Sequence, residues 1–246
     1  MRKFLILAGV FVSITAAHVV FGQTQGVITY EVKVNLHKRL PPERAEMKAM
    51  IPEFRTTRAQ LFFTDAESLS KPLIEDEEDE IGSGGGPQIR IAQPNNEYYL
   101  NQSSGKFISK MEFMGKDYLI VDSVKVSPWK FGTETKTIQG RACKQAFYTD
   151  ESIPDRKQEI TAWYTDQIRP LLGPEKFNTL PGTVLAVDIN NGERYMVASK
   201  IEFRPLKKNE LKEPVSGQKI SSSEFAKFTQ EQMKKMGGSG GMIIKH

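Results

Sequence analysis

The chain has 246 residues, 39% of them hydrophobic and 26% charged, with 34 basic and 30 acidic side chains. Arg2 and Lys3 fall in what reads as an export leader, so the remainder carries 32 basic against 30 acidic residues, scattered along the chain; no clustered basic face points to a nucleic-acid partner. Cys143 is the single cysteine, which excludes an internal disulfide, and of three histidines one sits in the leader.

The opening residues have the pattern of a secretory signal peptide. Arg2 and Lys3 precede an apolar stretch, Phe4 to Val20, broken by Ser13, Thr15 and His18, and a small Gly22 with Val20 two places before it suits cleavage ahead of Gln23. The alternative is a retained anchor, but a membrane span needs about 20 apolar residues and this run falls short. No second run of that length follows, so residues 1–22 are expected to be removed, leaving a soluble periplasmic or secreted protein. Cys143 lies far from the cleavage site, so a lipid-modified N-terminal cysteine is not expected.

From Gly26 the chain alternates: Ile28, Tyr30, Val32, Val34 and Leu36 on one side, Thr29, Glu31, Lys33 and Asn35 on the other, the period of a strand with one dry face. Pro41 and Pro42 open a short helix over Glu43 to Met50, which Pro52 stops. A strand follows over Phe54 to Thr64. The run Glu75 to Glu80 is wholly acidic and leads into Gly82 to Gly86, a flexible loop over 75–87; its contiguous acids lack the spaced ligands and internal turn glycine of a calcium loop. Strands are expected at Glu97–Asn101, Lys106–Phe113, Lys116–Val121, Lys130–Thr135, Ala142–Tyr148, Glu159–Thr165, Thr183–Ile189 and Arg194–Phe203. The last two flank Asn190-Asn191-Gly192, residues that accept the positive φ of a tight hairpin turn. Ser223 is placed to cap a helix from Glu224 to Met236, with Phe225, Phe228, Gln232 and Met236 at helical spacing. A glycine-rich stretch then breaks into a flexible tail, 237–246.

These signals give one mainly β domain over residues 23–236: a large antiparallel sheet curled into a half-barrel or open barrel, with a short helix near residue 45 and a C-terminal helix in or across its mouth. The architecture would look like the periplasmic lipoprotein carriers, an analogy of fold alone.

One segment has a distinctive order. Trp163-Tyr164-Thr165 leads to Gly173-Pro174, then Phe177, then Leu180-Pro181-Gly182-Thr183-Val184-Leu185; upstream stand Trp129, Glu134-Thr135-Lys136, Ile138, Gly140 and Cys143-Lys144. This order resembles the GLPGLI family of exported Bacteroidetes proteins, over the span from Gly26 to about Phe203. The name motif departs at Thr179, where the family has its first glycine, and at Thr183-Val184, where it has Leu-Ile. The resemblance implies an envelope protein of unestablished activity and supplies no catalytic residue. Physically, Pro181 fixes φ and Gly182 permits a turn, so Leu180-Pro181-Gly182 reads as a corner feeding a strand.

Chemistry is sparse. Gly237 to Gly241 spells Gly-x-Ser-x-Gly, but a nucleophile elbow needs a strand before it and a helix after it. Gly82 to Gly86 has no Lys-Ser or Lys-Thr to make a phosphate loop. Cys143 lies in a strand as a small buried hydrophobe, with Lys144 on the opposite face and no histidine partner. Glu151 and Asp155 form a carboxylate pair in an exposed turn. Met233, Met236, Met242 and His246 offer soft ligands for Cu(I) as one alternative. No catalytic residue, no cofactor and no metal site is therefore assigned. The expected function is non-enzymatic binding or carriage of a hydrophobic small molecule or peptide, with docking on an outer-membrane receptor or secretion complex, or an unrecognised enzyme activity, as the other readings.

Overall fold

A computed structural model of the chain describes residues 24–74, 93–153 and 156–235. The leader, the acidic loop at 75–87, Met236 and the tail at 237–246 lie outside them. Within the described residues twelve strands form one sheet: β1 (Gly26–Asn35), β2 (Phe54–Phe63), β3 (Glu67–Leu73), β4 (Glu97–Asn101), β5 (Lys106–Phe113), β6 (Lys116–Ser123), β7 (Lys130–Ile138), β8 (Arg141–Ile153), β9 (Arg156–Thr165), β10 (Thr183–Ile189), β11 (Arg194–Phe203) and β12 (Gln218–Lys219). Their order is β12-β6-β5-β4-β3-β2-β1-β11-β10-β9-β8-β7, so the sheet is not closed into a barrel. Every neighbouring pair is antiparallel except β12 with β6. No helix among the described residues is long and apolar enough to cross a membrane.

The sheet curls around the connection between β9 and β10, residues 166–182. The Glu175 backbone N–H donates to Ser70 Oγ on β3 at 3.1 Å, while the next residue, Lys176, donates from Nζ to Asp150 on β8 at 2.6 Å. In a flat sheet the six steps from β3 to β8 would span about 29 Å at roughly 4.8 Å per step. Two consecutive residues with Cα atoms about 3.8 Å apart bridge them only if the sheet wraps around the connection. The face that carries Ser70 and Asp150 is thus the inner face.

That face holds most of the core. Ile28, Tyr30, Leu61 and Phe63 form one cluster with Leu172 and Leu185; Val32, Tyr164, Val187 and Met196 form a second with Phe177 and Leu180. Thr183 through Val187 are all buried, because β10 lies between the two clusters. A further cluster of Leu69, Tyr99, Ile108 and Leu119 lies on the outer face, where Leu211 of the β11–β12 connection covers it.

Several elements differ from the sequence reading. β3 was not expected: Pro72 and the weakly alternating Glu67-Ser68-Leu69-Ser70 hide a strand whose existence depends on pairing with β2. The segment Pro42–Ala49 is a 3-10 helix with a kink at Arg44 and no buried residue, so nothing rewards a regular α-helix there; a short helix, α1 (Leu36–Arg39), precedes it, capped by the Asn35 side chain accepting from Lys38 N at 2.9 Å. The C-terminal helix, α2 (Ser222–Lys235), is capped by Ser221 rather than Ser223. Ser221 Oγ accepts from Glu224 N at 3.2 Å and Ser221 N donates to Glu224 Oε2 at 3.0 Å, a reciprocal box that sets the cap three residues before the glutamate.

The β11–β12 connection is pinned by Arg204, whose two terminal nitrogens each donate to the Glu210 carboxylate at 2.8 Å. These hydrogen bonds hold the Glu210 carboxyl down at about 2, below its ordinary 4.5. A carboxyl whose folded pKa is depressed stabilises the fold above its unfolded pKa and loses that contribution as pH falls through the folded value. Urea midpoints of the wild type should therefore exceed those of Glu210→Gln at neutral pH, and the gap should close between pH 4.5 and pH 2. A gap constant across that range would contradict this assignment.

Candidate functional site

The residues singled out in the sequence gather around the start of β10. The hairpin with β11 pairs Ala186 with Val197 through Ile189 with Arg194, but Thr183 to Leu185 have no partner on β11. Leu172 takes that place, bridging in parallel to Thr183, and its carbonyl accepts from Val184 N at 2.8 Å. The Val184 carbonyl is met by Tyr30 Oη at 2.7 Å, reaching up from β1. Burial raises the Tyr30 phenol far above its usual pKa, so it remains a donor.

Each motif residue has a physical place here. Gly173 and Gly182 mark close backbone approaches: a Cβ on Gly173 would stand 1.9 Å from the Phe177 carbonyl oxygen, and one on Gly182 would stand 2.2 Å from that of Thr165. Pro174 is buried and its carbonyl accepts from Phe177 N at 3.1 Å. Leu180 is wholly buried, while Pro181 is exposed at the bend. Tyr164 packs inward with Phe177 and Leu180; Trp163 packs on the other side of β9 with Cys143. Cys143 is fully buried, and burial pushes its thiol up. Lys144 points the other way and pairs with Asp166 at 2.7 Å.

Thr179 holds the corner just ahead of Leu180. It does not lie among the residues with positive φ, so glycine's freedom is not needed there. Its hydroxyl accepts from Trp129 Nε1 at 3.0 Å and from Ser127 N at 3.3 Å, tying the chain ahead of β7 to the corner.

The other sequence candidates do not converge. His37 Nε2 contacts the Ile51 carbonyl at 3.0 Å, and Glu151 pairs with Lys157 at 2.7 Å, whereas Asp155 lies outside the described residues. Of the methionine group only Met233 is described. Among the described residues no group of three or more His, Cys, Asp or Glu side chains is placed to hold a metal ion.

An open space lies elsewhere, between α2 and the β6–β12 edge. A cavity of about 530 Å³ is lined by Lys116, Tyr118, Gln218, Lys219, Ile220, Glu224 and Phe228. Its apolar wall forms because Phe225 and Phe228 of α2 stack on Phe113 and Tyr118, with ring centroids 5.3–6.3 Å apart. Ser222 Oγ donates to Asp122 at 3.0 Å and fixes the helix start over β6. The Glu224 carboxyl, hydrogen-bonded by Ser221, is held below the ordinary glutamate range, so the rim carries a firm negative charge beside Lys116 and Lys219. The Phe225–Phe228 spacing revealed the helix half of this groove; the two-residue β12 carried no signal in the sequence.

Removing the acceptor at the corner should be measurable. Thr179→Ala is expected to cost about 1 kcal/mol in urea denaturation, the usual net value of a lost hydrogen bond, with Thr179→Ser close to wild type. Equal stability of all three proteins would mean that the threonine hydroxyl does not hold Trp129.

No protein-family model matches the chain, and no curated protein matches it. Among solved structures it is similar to PNGF-II in two crystal forms. The P21 form gives a TM-score of 0.56 at 14% identity, covering 85% of this chain and 34% of that one. The C2 form gives a TM-score of 0.55 at 14% identity, covering 85% of this chain and 33% of that one. The chain spans about a third of the length of those proteins, and at this identity what it shares with them is the fold.

Proposed function

We propose that this chain is a non-enzymatic binding module exported to the bacterial envelope, a member of the GLPGLI family, and that it takes a short apolar peptide segment in the groove between α2 and β6. The observation that carries this reading is the division of space in the fold. Phe177, Leu180 and Leu172 occupy the inner face that a lipid carrier would leave open. The cavity beside α2 is instead shallow, with an apolar wall of Tyr118, Ile220 and Phe228 and a rim bearing Lys116, Lys219 and Glu224. A volume of about 530 Å³ is within the range of ligand pockets, roughly 300–1,000 Å³. Charges of both signs at the rim suit the amides and termini of a peptide better than an acyl chain. β12 is the last strand of the sheet order, so its outer edge can pair with an added strand. The leader at residues 1–22 and the motif resemblance support the address.

The test uses the chain from Gln23 to His246. Decapeptides selected from a random display library should bind at micromolar Kd. Their affinity should fall at least tenfold in Lys219→Glu, which leaves the helix packing alone, and in Phe228→Ala. A dansylated fatty acid should show no stoichiometric binding. Uptake of the fatty acid unaffected by Phe228→Ala, or failure to select any peptide sensitive to these substitutions, would overturn the reading.

A further inference from the structure

Near the turn of the β7–β8 hairpin the chain gathers hydrogen-bond donors without acceptors. The register pairs Lys136 with Cys143 and Ile138 with Arg141, so Lys136 and Arg141 leave the same face of the hairpin as diagonal neighbours. Diagonal positions in such a ladder lie about 7–8 Å apart. Both side chains are half-buried. Neither has a carboxylate within 4.0 Å or a side-chain hydrogen bond among the described residues.

Each cation rests instead on an aromatic ring. Lys136 Nζ sits 3.1 Å from the Trp163 ring centroid and 5.9 Å from that of Tyr195, and Arg141 Cζ sits 5.6 Å from that of Phe203. Two further donors lie in the same cluster. The Trp163 side chain is 9% exposed, and its indole N–H is buried with no acceptor among the described residues; so is the Nε–H of Arg141. The nearby acids hydrogen-bond to other groups and act on Lys136 only at a distance: Glu134 accepts from the Gln145 amide at 3.2 Å, and Asp188 accepts from Gly192 N at 2.6 Å. Burial also holds the Lys136 ammonium below its usual pKa, against the pull of Asp188, Cys143 and Glu134. The two cations share one face, both are partly desolvated, and neither has a carboxylate in direct contact among the described residues. An anion seated between them offsets that desolvation and supplies an acceptor to donors that lack one, and a guanidinium and an ammonium over aromatic rings are suited to holding it.

We infer that the face of the β7–β8 hairpin bearing Lys136 and Arg141 is a binding site for an oxyanion group of a small ligand, with Lys136 and Arg141 as its charged donors and Trp163 as its floor. The site is on β7, β8 and β9, away from the α2 groove, and does not depend on the peptide reading. The shared chemistry is that of a carboxylate, sulfate or phosphate group.

The two tryptophan indoles provide the readout. In the full chain after leader removal, ¹⁵N-indole spectra are followed while sodium phosphate, sulfate or acetate replaces chloride at constant ionic strength. The Trp163 signal should shift and saturate at millimolar anion. The Trp129 signal, whose N–H is bonded to Thr179, should stay in place and also report that each variant is folded. Lys136→Gln and Arg141→Gln should each weaken binding at least tenfold, the double variant should abolish it, and Lys130→Gln on the same strand should not change it. Saturation by acetate alone would mark a carboxylate site, and saturation by phosphate or sulfate a site for a tetrahedral anion. Absence of a saturable shift with all three, a shift that survives in the double variant, or an equal shift of Trp129 would overturn the inference.

Discussion

The structure depends on how β10 satisfies its backbone after it parts from β11. A strand that leaves its neighbour inside a folded core carries N–H and C=O groups that must find partners, because an orphaned buried backbone group costs as much as a lost hydrogen bond. Here Leu172 and Tyr30 meet the two groups of Val184. The first comes from the β9–β10 connection and the second from β1, so that connection has to lie inside the curl of the sheet. Once it is there, Phe177 and Leu180 become core residues, and the glycines at 173 and 182 become close-packing positions.

The connection is also held electrostatically. Arg194 and Glu175 pair on the inner face with side chains 24% and 19% exposed. Burial opposes the Arg194 charge, but Glu175 more than offsets it and keeps the guanidinium firmly protonated. A partly buried pair of this kind contributes little net stability but is costly to break, since removal of one partner leaves a charge without its counter-charge. Leu171 and Glu175 both sit at positive φ, 57° and 53°, which costs each about 1 kcal/mol or more. The connection is thus strained locally and fixed by its contacts. The half-barrel encloses part of its own chain, with Phe177 and Leu180 in the core.

Much of this was legible in the residues. Alternation from Ile28 to Val34 and the Asn190-Asn191-Gly192 turn located β1 and the β10–β11 hairpin, because burial on one face and positive φ both leave local traces. Leu180-Pro181-Gly182 announced a corner. What it packs against was not legible: Tyr30 lies 154 residues from Val184, and no local pattern records such a pairing. β3 and β12 escaped notice because their pairing partners, rather than their own side chains, make them strands. The stacking of Lys136 on Trp163 was equally hidden, although both residues belong to the stretches that give the family resemblance.

Amide hydrogen exchange tests most directly whether the inner face is closed by the chain itself. If the β9–β10 connection is part of the core, the N–H groups of Phe177 and Val184, bonded to Pro174 and Leu172, should be protected to the same degree as those of Tyr30 and Val32 in β1 and should open with the same urea dependence. Exchange of Phe177 and Val184 orders of magnitude faster than β1, with no urea dependence, would mean that the connection leaves the sheet without unfolding it, and that the inner face is a cavity after all.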